Sequence, residues 1–264
     1  MASNLACLGL AVADTTELAH LISSAHRSAH EVGVFDGVQV ERWQDGSGAV
    51  LILEWQSGEY LDLIPAYAAT SGGLLADCHL INESVAAADV VDAEGEQLTA
   101  MAFDAQQYRQ LQTLGRPVSG PARITALGIA VQVHQDPDAF AASEDSLVDS
   151  SGDPAGEPPK HFRERGWPWP PRLASESFVS YGLFAGPEQG EPRARMCGTV
   201  LKAERRVCAL TGQQPFTVAS VRTVGFEADL CLAGSEHPSL PEPGNIISGT
   251  VYLTAALDAP GLWG

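Results

Sequence analysis

The sequence is poor in the residues that announce a chemistry. Its five cysteines, Cys7, Cys78, Cys197, Cys208 and Cys231, are odd in number and form no C-x-x-C pair. They supply neither a disulfide framework nor zinc-ligand spacing, and each lies in an apolar context, as reduced, buried thiols of a cytosolic protein do. Basic residues are also scarce, 15 Lys and Arg against 33 Asp and Glu, for a formal net charge of −18. A chain of that sign repels phosphates, so a nucleic-acid partner is not expected. No run approaches the ~18 apolar residues of a membrane helix. The apolar run 5–13 ends in Ala11-Val12-Ala13, as a cleavable signal does, but no Lys or Arg precedes it, so it reads as a core strand. The protein is therefore expected to be soluble and cytoplasmic, without a membrane partner. G-x-S-x-G, a phosphate-binding loop and a nucleophile turn are all missing, which leaves a familiar hydrolytic triad unsupported and no cofactor implied.

What is present divides the chain in two. Residues 1–157 hold 23 of the 33 acidic side chains and 5 of the 15 basic ones, while residues 158–264 hold ten of each. With 264 residues and 45% hydrophobic side chains, two ordinary domains with real cores are feasible. The expected organisation is an acidic α+β domain over 1–135, a disordered or mobile linker over 136–160 rich in Asp, Ser, Gly and Pro, and a Trp/Pro clasp with a β-barrel over 161–264.

Within the first half, residues 5–12 read as a buried strand. Asp14 and Glu17 then form a capping box for a helix whose Leu18, Leu21, Ile22, Ala25 and Ala29 make one apolar stripe. Strands follow at 38–43, 49–55 and 59–64, with a hairpin turn at Asp45-Gly46-Ser47-Gly48. The second block reads as strands at 76–81, 85–91 and 98–103, a short helix capped by Asp104 and ended by Gly115, and a long strand over 122–134. This is a helix layer on a mostly antiparallel sheet. The β-α-β-β-β order of residues 5–64, about a quarter of the chain, resembles half of a vicinal-oxygen-chelate or ferredoxin-like module. That resemblance implies His or Glu metal ligands on particular strands; the first strand here offers Leu, Ala, Cys, Gly and Val instead, so no metal site is expected.

After the clasp come strand-like runs at 178–184, 194–203, 206–210, 216–223, 226–232 and 246–253. Gly198 falls inside a long one, where a barrel strand must bend. Strand number and size suit a small antiparallel barrel of OB-like type.

Candidate chemistry is sparse. His20, His26 and His30 share the expected first helix, with His26 and His30 at an i, i+4 spacing that suits a metal but without a further ligand. Glu54 lies on the face of its strand shared by Val50 and Ile52, where a carboxyl pointing inward would have a raised pKa; at the strand end it would instead reach solvent. Asp77 and His79 share a strand face near Glu83, and an Asp-His pair can orient an imidazole for base chemistry. Trp167, Trp169 and Tyr181 are the ligand-contact candidates of the aromatic stretch. Trp167 and Trp169 are expected to bury at the junction of the halves, with Arg163, Arg165 and Arg172 facing the acidic half. Arg193, Arg195, Lys202, Arg205 and Arg206 near Tyr181, Phe184 and Phe216 are the residue types of a single-strand nucleic-acid surface, offset by Glu188, Glu191 and Glu204.

These observations point first to a non-enzymatic binding or interaction protein that recognises a protein or small ligand near the junction of its halves. An enzyme without a familiar motif, using Glu54 or the Asp77 and His79 pair, is the rival. Single-stranded nucleic-acid binding by the barrel is third.

Overall fold

A computed structural model describes residues 3–148, 156–184, 190–212 and 214–263. The capping box forms as its spacing requires: Glu17 N donates to Asp14 Oδ1 at 2.9 Å, and Ala13 N donates to Glu17 Oε2 at 2.8 Å. Helix α1 (Thr15–His26) follows and buries Leu21, Ile22 and Ala25. It stops short of His30, which opens strand β1 (His30–Phe35), so His26 and His30 do not share a helix. Residues 5–12 correct the sequence reading in a second way. Cys7, Leu8 and Leu10 are buried as expected, but in a 3-10 turn at Ala6–Leu8 closed by Gly9 at φ 69°, not in a strand. Without that first strand, the chelate-like order does not form.

Strands β2 (Val38–Gln44), β3 (Ala49–Gln56) and β4 (Glu59–Tyr67) join β1 in a four-stranded antiparallel meander. One face carries Trp43, Leu51, Leu53 and Tyr67, packed with α1, Leu127, Phe216 and Cys231. The other carries Val40, Val50, Ile52, Ile64 and Ala66, packed with Trp263. Strand alternation puts Arg42, Glu54 and Asp62 on this second face.

The larger sheet has nine strands: β5 (Gly72–Leu80), β6 (Val85–Val91), β7 (Gln97–Ala105), β8 (Val118–His134), β9 (Ser177–Ser180), β10 (Arg193–Val207), β11 (Pro215–Thr223), β12 (Phe226–Ala233) and β13 (Ile246–Leu257). With 49% strand and 16% helix, the chain is mostly β and built on sheets. The pairings return on themselves twice. One cycle runs β8, β12, β11, β10, β13 and back to β8; the other runs β8, β5, β6, β7, β13 and back. Both share the antiparallel β8–β13 pair, which extends from Ile246↔His134 to Leu257↔Ala122. Strands from either side of the expected boundary thus belong to one sheet.

Helix α2 (Tyr108–Leu114) follows β7 and ends at Gly115, φ 60°, as the sequence suggests. Asp104 does not cap it; that residue is still in β7, and Gln107 occupies the cap position. Part of the stretch read as a linker is folded: α3 (Pro137–Ala142) buries Phe140 against Cys197 and Ile246, and Leu147 is buried beside it in sequence. Residues 149–155 of that stretch lie outside the described residues. The aromatic stretch begins with α4 (Lys160–Arg165). Leu147 bridges Arg172, and Leu173 N donates to Ser146 O at 2.6 Å, so 146–148 and 171–173 are strapped together.

Candidate functional site

Helix α2 reaches the second face of the small sheet through Arg109, which meets Glu54, and two cavities open along α2 and the loop between β5 and β6. Asn82 builds that loop, its Oδ1 accepting from Ser84 N at 3.0 Å and Val85 N at 2.9 Å. The larger cavity, about 630 Å³, is bounded by this loop, Tyr108 and Gln112. The smaller, about 180 Å³, meets it at Glu83, Ser84 and Tyr108 and runs in toward Glu54, Asp62, Asp104, Arg109 and Tyr252.

Glu54 is buried, 2% exposed, so it does not reach solvent at the strand end. Arg109, from the first turn of α2, donates Nε to Glu54 Oε2 at 2.9 Å and a second nitrogen to the same oxygen. That hydrogen bond holds the Arg109 guanidinium above its ordinary pKa. The pair neutralises both charges, which removes Glu54 as a free base.

Asp104 is different. It lies on β7 opposite Thr254 of β13, and Tyr252, two residues along β13, donates its hydroxyl to Asp104 Oδ2. Burial pushes the Asp104 carboxyl up to about 7, against the lowering effect of the Tyr252 bond and with a smaller contribution from Asp62. Burial likewise raises Tyr252, which stays a phenol. The Thr254 hydroxyl beside this pair is buried and has no hydrogen-bond partner among the described residues. At the mouth, Asp62 and Glu83 are exposed. Three carboxyl groups, Asp62, Glu83 and Asp104, thus line a cavity whose cation, Arg109, is already taken by Glu54. No group of three or more His, Cys, Asp or Glu is placed to hold a metal ion, among the described residues.

The other sequence candidates do not assemble here. Asp77 and His79 straddle a bulge in β5, Asp77 at φ 52°; the His79 ring lies 2.7 Å from the Asp77 backbone oxygen and 3.9 Å from its carboxylate. Both side chains are open to solvent, a surface turn rather than an oriented dyad. His26 faces Glu41, with Nδ1 2.6 Å from Oε2, and Trp55 Nε1 donates to the same oxygen at 3.1 Å. Trp167 and Trp169 pack on Phe162 at ring distances of 5.5 and 5.1 Å, with Arg165 over Trp167 at 4.7 Å. Trp167 remains 48% exposed, so the pair forms an aromatic knot on α4 rather than a buried junction. Arg163 approaches Glu157, and Arg172 donates to Ser143 O at 2.7 Å. Tyr181 is partly exposed, with no ring contact to either tryptophan among the described residues.

Nothing in the sequence marks Asp104, Arg109 and Tyr252 as site residues. Asp104 and Tyr252 are 148 positions apart and Glu54 and Arg109 are 55 apart, so only the β7–β13 pairing and the approach of α2 to the small sheet bring them together. The signal available was a carboxyl inside an apolar strand, Met101 to Ala105. Comparison with models of known protein families, with curated proteins and with solved structures finds no match.

Proposed function

We propose that the protein binds a small ligand with a cationic centre in the cleft beside α2. The observation that carries this reading is the unbalanced cavity: Asp62, Glu83 and Asp104 converge where Arg109 is already paired with Glu54. A cation reaching Asp104 gains a carboxylate at low local dielectric, where charge pairing is stronger than in water. Because Asp104 titrates near 7, the ligand and the proton compete for it. The reading keeps to small-ligand recognition, but moves the site from the junction of the halves to the cleft between α2 and the small sheet.

The test is a thermal-shift and calorimetric screen of the full chain with small amines, 1,4-diaminobutane and choline among them, at pH 8 and pH 6. Saturable binding that weakens at pH 6, and that loses this pH dependence in Asp104→Asn, is the expected result. Binding that keeps its pH dependence in Asp104→Asn, or no binding by any amine, would sink the proposal.

A second reading, an acid–base enzyme, is favoured by one observation, the Asp104 carboxyl near 7 against Tyr252, since a general base works best close to the operating pH. Glu54 has no part in that chemistry while Arg109 holds it, and the exposed Asp77 and His79 give it no support. Nucleic-acid binding is left aside because Arg193, Arg206 and Arg222 each lie beside a glutamate. The two strand cycles have the size of small OB-like barrels, and we propose that they are barrels sharing one seam. Among the described residues no helix is long and apolar enough to cross a membrane. The five buried free thiols suit a reducing compartment such as the cytoplasm.

A further inference from the structure

A further cavity, about 290 Å³, opens on the same face of the small sheet beside Gln106 and Gln107 of the β7–α2 connection, and its charge is opposite. Arg42 enters it from β2 and Arg123 from β8, with Trp263 as an aromatic wall and Asp258 at the rim. Neither guanidinium has a hydrogen bond or ion pair to any described residue. The sheet explains why Arg42 is unpaired. Its neighbour Glu41 points to the opposite face, where it binds His26 and Trp55, so the nearest carboxylate in sequence is out of reach. Arg42 is half-buried, and burial lowers its pKa with no anion to offset the effect.

The floor of this cavity holds an independent sign of a ligand. Gln106 is 4% exposed, its backbone N–H donates to Ala255 O at 2.9 Å, and its side-chain amide has no partner among the described residues. The next residue shows what a structural glutamine does here. Gln107 spends its whole amide on the backbone, donating to Leu257 O at 3.0 Å and Trp263 O at 2.9 Å and accepting from Leu257 N at 3.1 Å. Gln106 does none of this work: the residue is buried, yet its amide is not sealed off, so its donor and acceptor stay open to the cavity.

From these residues we infer that the cavity is a binding site for a small organic carboxylate with a flat apolar body. Two guanidiniums against the Asp258 carboxylate leave one net positive charge, which matches a monoanion. The guanidinium fork fits the two oxygens of a carboxylate in its own plane. The Gln106 amide supplies a further donor, and the Trp263 indole accommodates a planar apolar group. A volume at the lower end of the ~300 to 1,000 Å³ usual for ligand pockets limits the ligand to a small one.

Benzoate is the probe, titrated into the full chain by calorimetry and ligand-detected NMR. Saturable binding at one site is expected, weakened about tenfold or more by Arg42→Gln and by Arg123→Gln, the scale of one lost charge-assisted bond. Gln106→Leu weakens it as well, and Asp258→Asn, which removes the competing carboxylate, strengthens it. Arg123 and Asp258 are exposed, so these two variants read the site even if a change at Arg42 or Gln106 disturbs folding. Absence of saturable binding, affinity unchanged in Arg123→Gln, or displacement of benzoate by inorganic phosphate at equal concentration overturns the inference. Amine binding in the cleft beside α2 is read separately and does not bear on this result.

Discussion

Removing Arg109 leaves Glu54 as a buried charge without a partner, because the strand alternation that hides Val50 and Ile52 hides Glu54 with them. Breaking such a pair from one side costs about 3 kcal/mol, whereas replacing both partners by apolar groups is often near neutral. Arg109→Ala should therefore lower the urea midpoint strongly and Glu54→Leu with Arg109→Leu far less; equal losses in the two would mean the ion pair is not what α2 rests on. Asp104 has the opposite pH logic. Its carboxyl holds a proton more tightly when folded, about 7 against an ordinary 3.8, so its contribution to stability is complete below pH 3.8 and is lost as pH rises through 7. The loss is at most about 4 kcal/mol. Asp104→Asn, which cannot ionise, should be more stable than the parent at pH 8 and nearly equal to it at pH 4. Urea unfolding at the two pH values decides it, and a difference that does not change with pH would remove Asp104 from the group titrating near 7.

At the scale of elements, what was legible was local. Asp14 and Glu17 mark the start of α1 because a capping box is closed within four residues, and Gly115 marks the end of α2 because only a residue at ease in the left-handed region stops a helix that way. The hairpins over 38–67 follow from alternation and a Gly-rich turn. The run 5–12 announces burial but not conformation: an unbroken apolar stretch has no period, and Gly9 turns it into a 3-10 coil. Phe140 and Leu147 bury inside a stretch whose composition reads as linker, since a few large side chains secured from outside suffice to order it. Asp104 reads as a cap because Asp before a polar turn usually is one; its true neighbours come from β13. Strand β10 shows the same limit. Gly198 sits where β10 passes from its pairing with β13 to its pairing with β11, and a Cβ there would lie 2.6 Å from the Arg222 carbonyl oxygen and 2.5 Å from a Val221 methyl. A bend was readable from the glycine, but not which strands meet at it. Gly198→Ala should cost about 1 to 3 kcal/mol by forcing β10 and β11 apart, measured by chemical denaturation; an unchanged midpoint would show that β11 can yield.

The whole molecule is organised by its seam more than by the contrast in charge between its halves. The excess of acid in residues 1–157 suggests a boundary, yet β8 from that half pairs with β12 on one edge and β13 on the other. Each strand cycle closes only through β8–β13, and the core packed around it joins Ile124 and Ala126 of one half to Leu230 and Leu253 of the other. The seam also brings the two pockets of opposite sign to one face of the small sheet: Tyr252 enters the acidic one, and Ala256 and Leu257 of the same strand line the basic one. A fragment of residues 161–264 keeps β10, β11, β12 and β13 but lacks β8, so an edge of β12 and an edge of β13 are left with unpaired N–H and C=O groups and open apolar faces. Such a fragment should show no cooperative thermal transition alone, and should recover one on mixing with residues 1–160. The discriminating measurement is the near-UV circular dichroism melt of each fragment and of the mixture. A sharp melt for 161–264 by itself would mean that the second cycle is closed without β8 and that the halves are separate folding units after all.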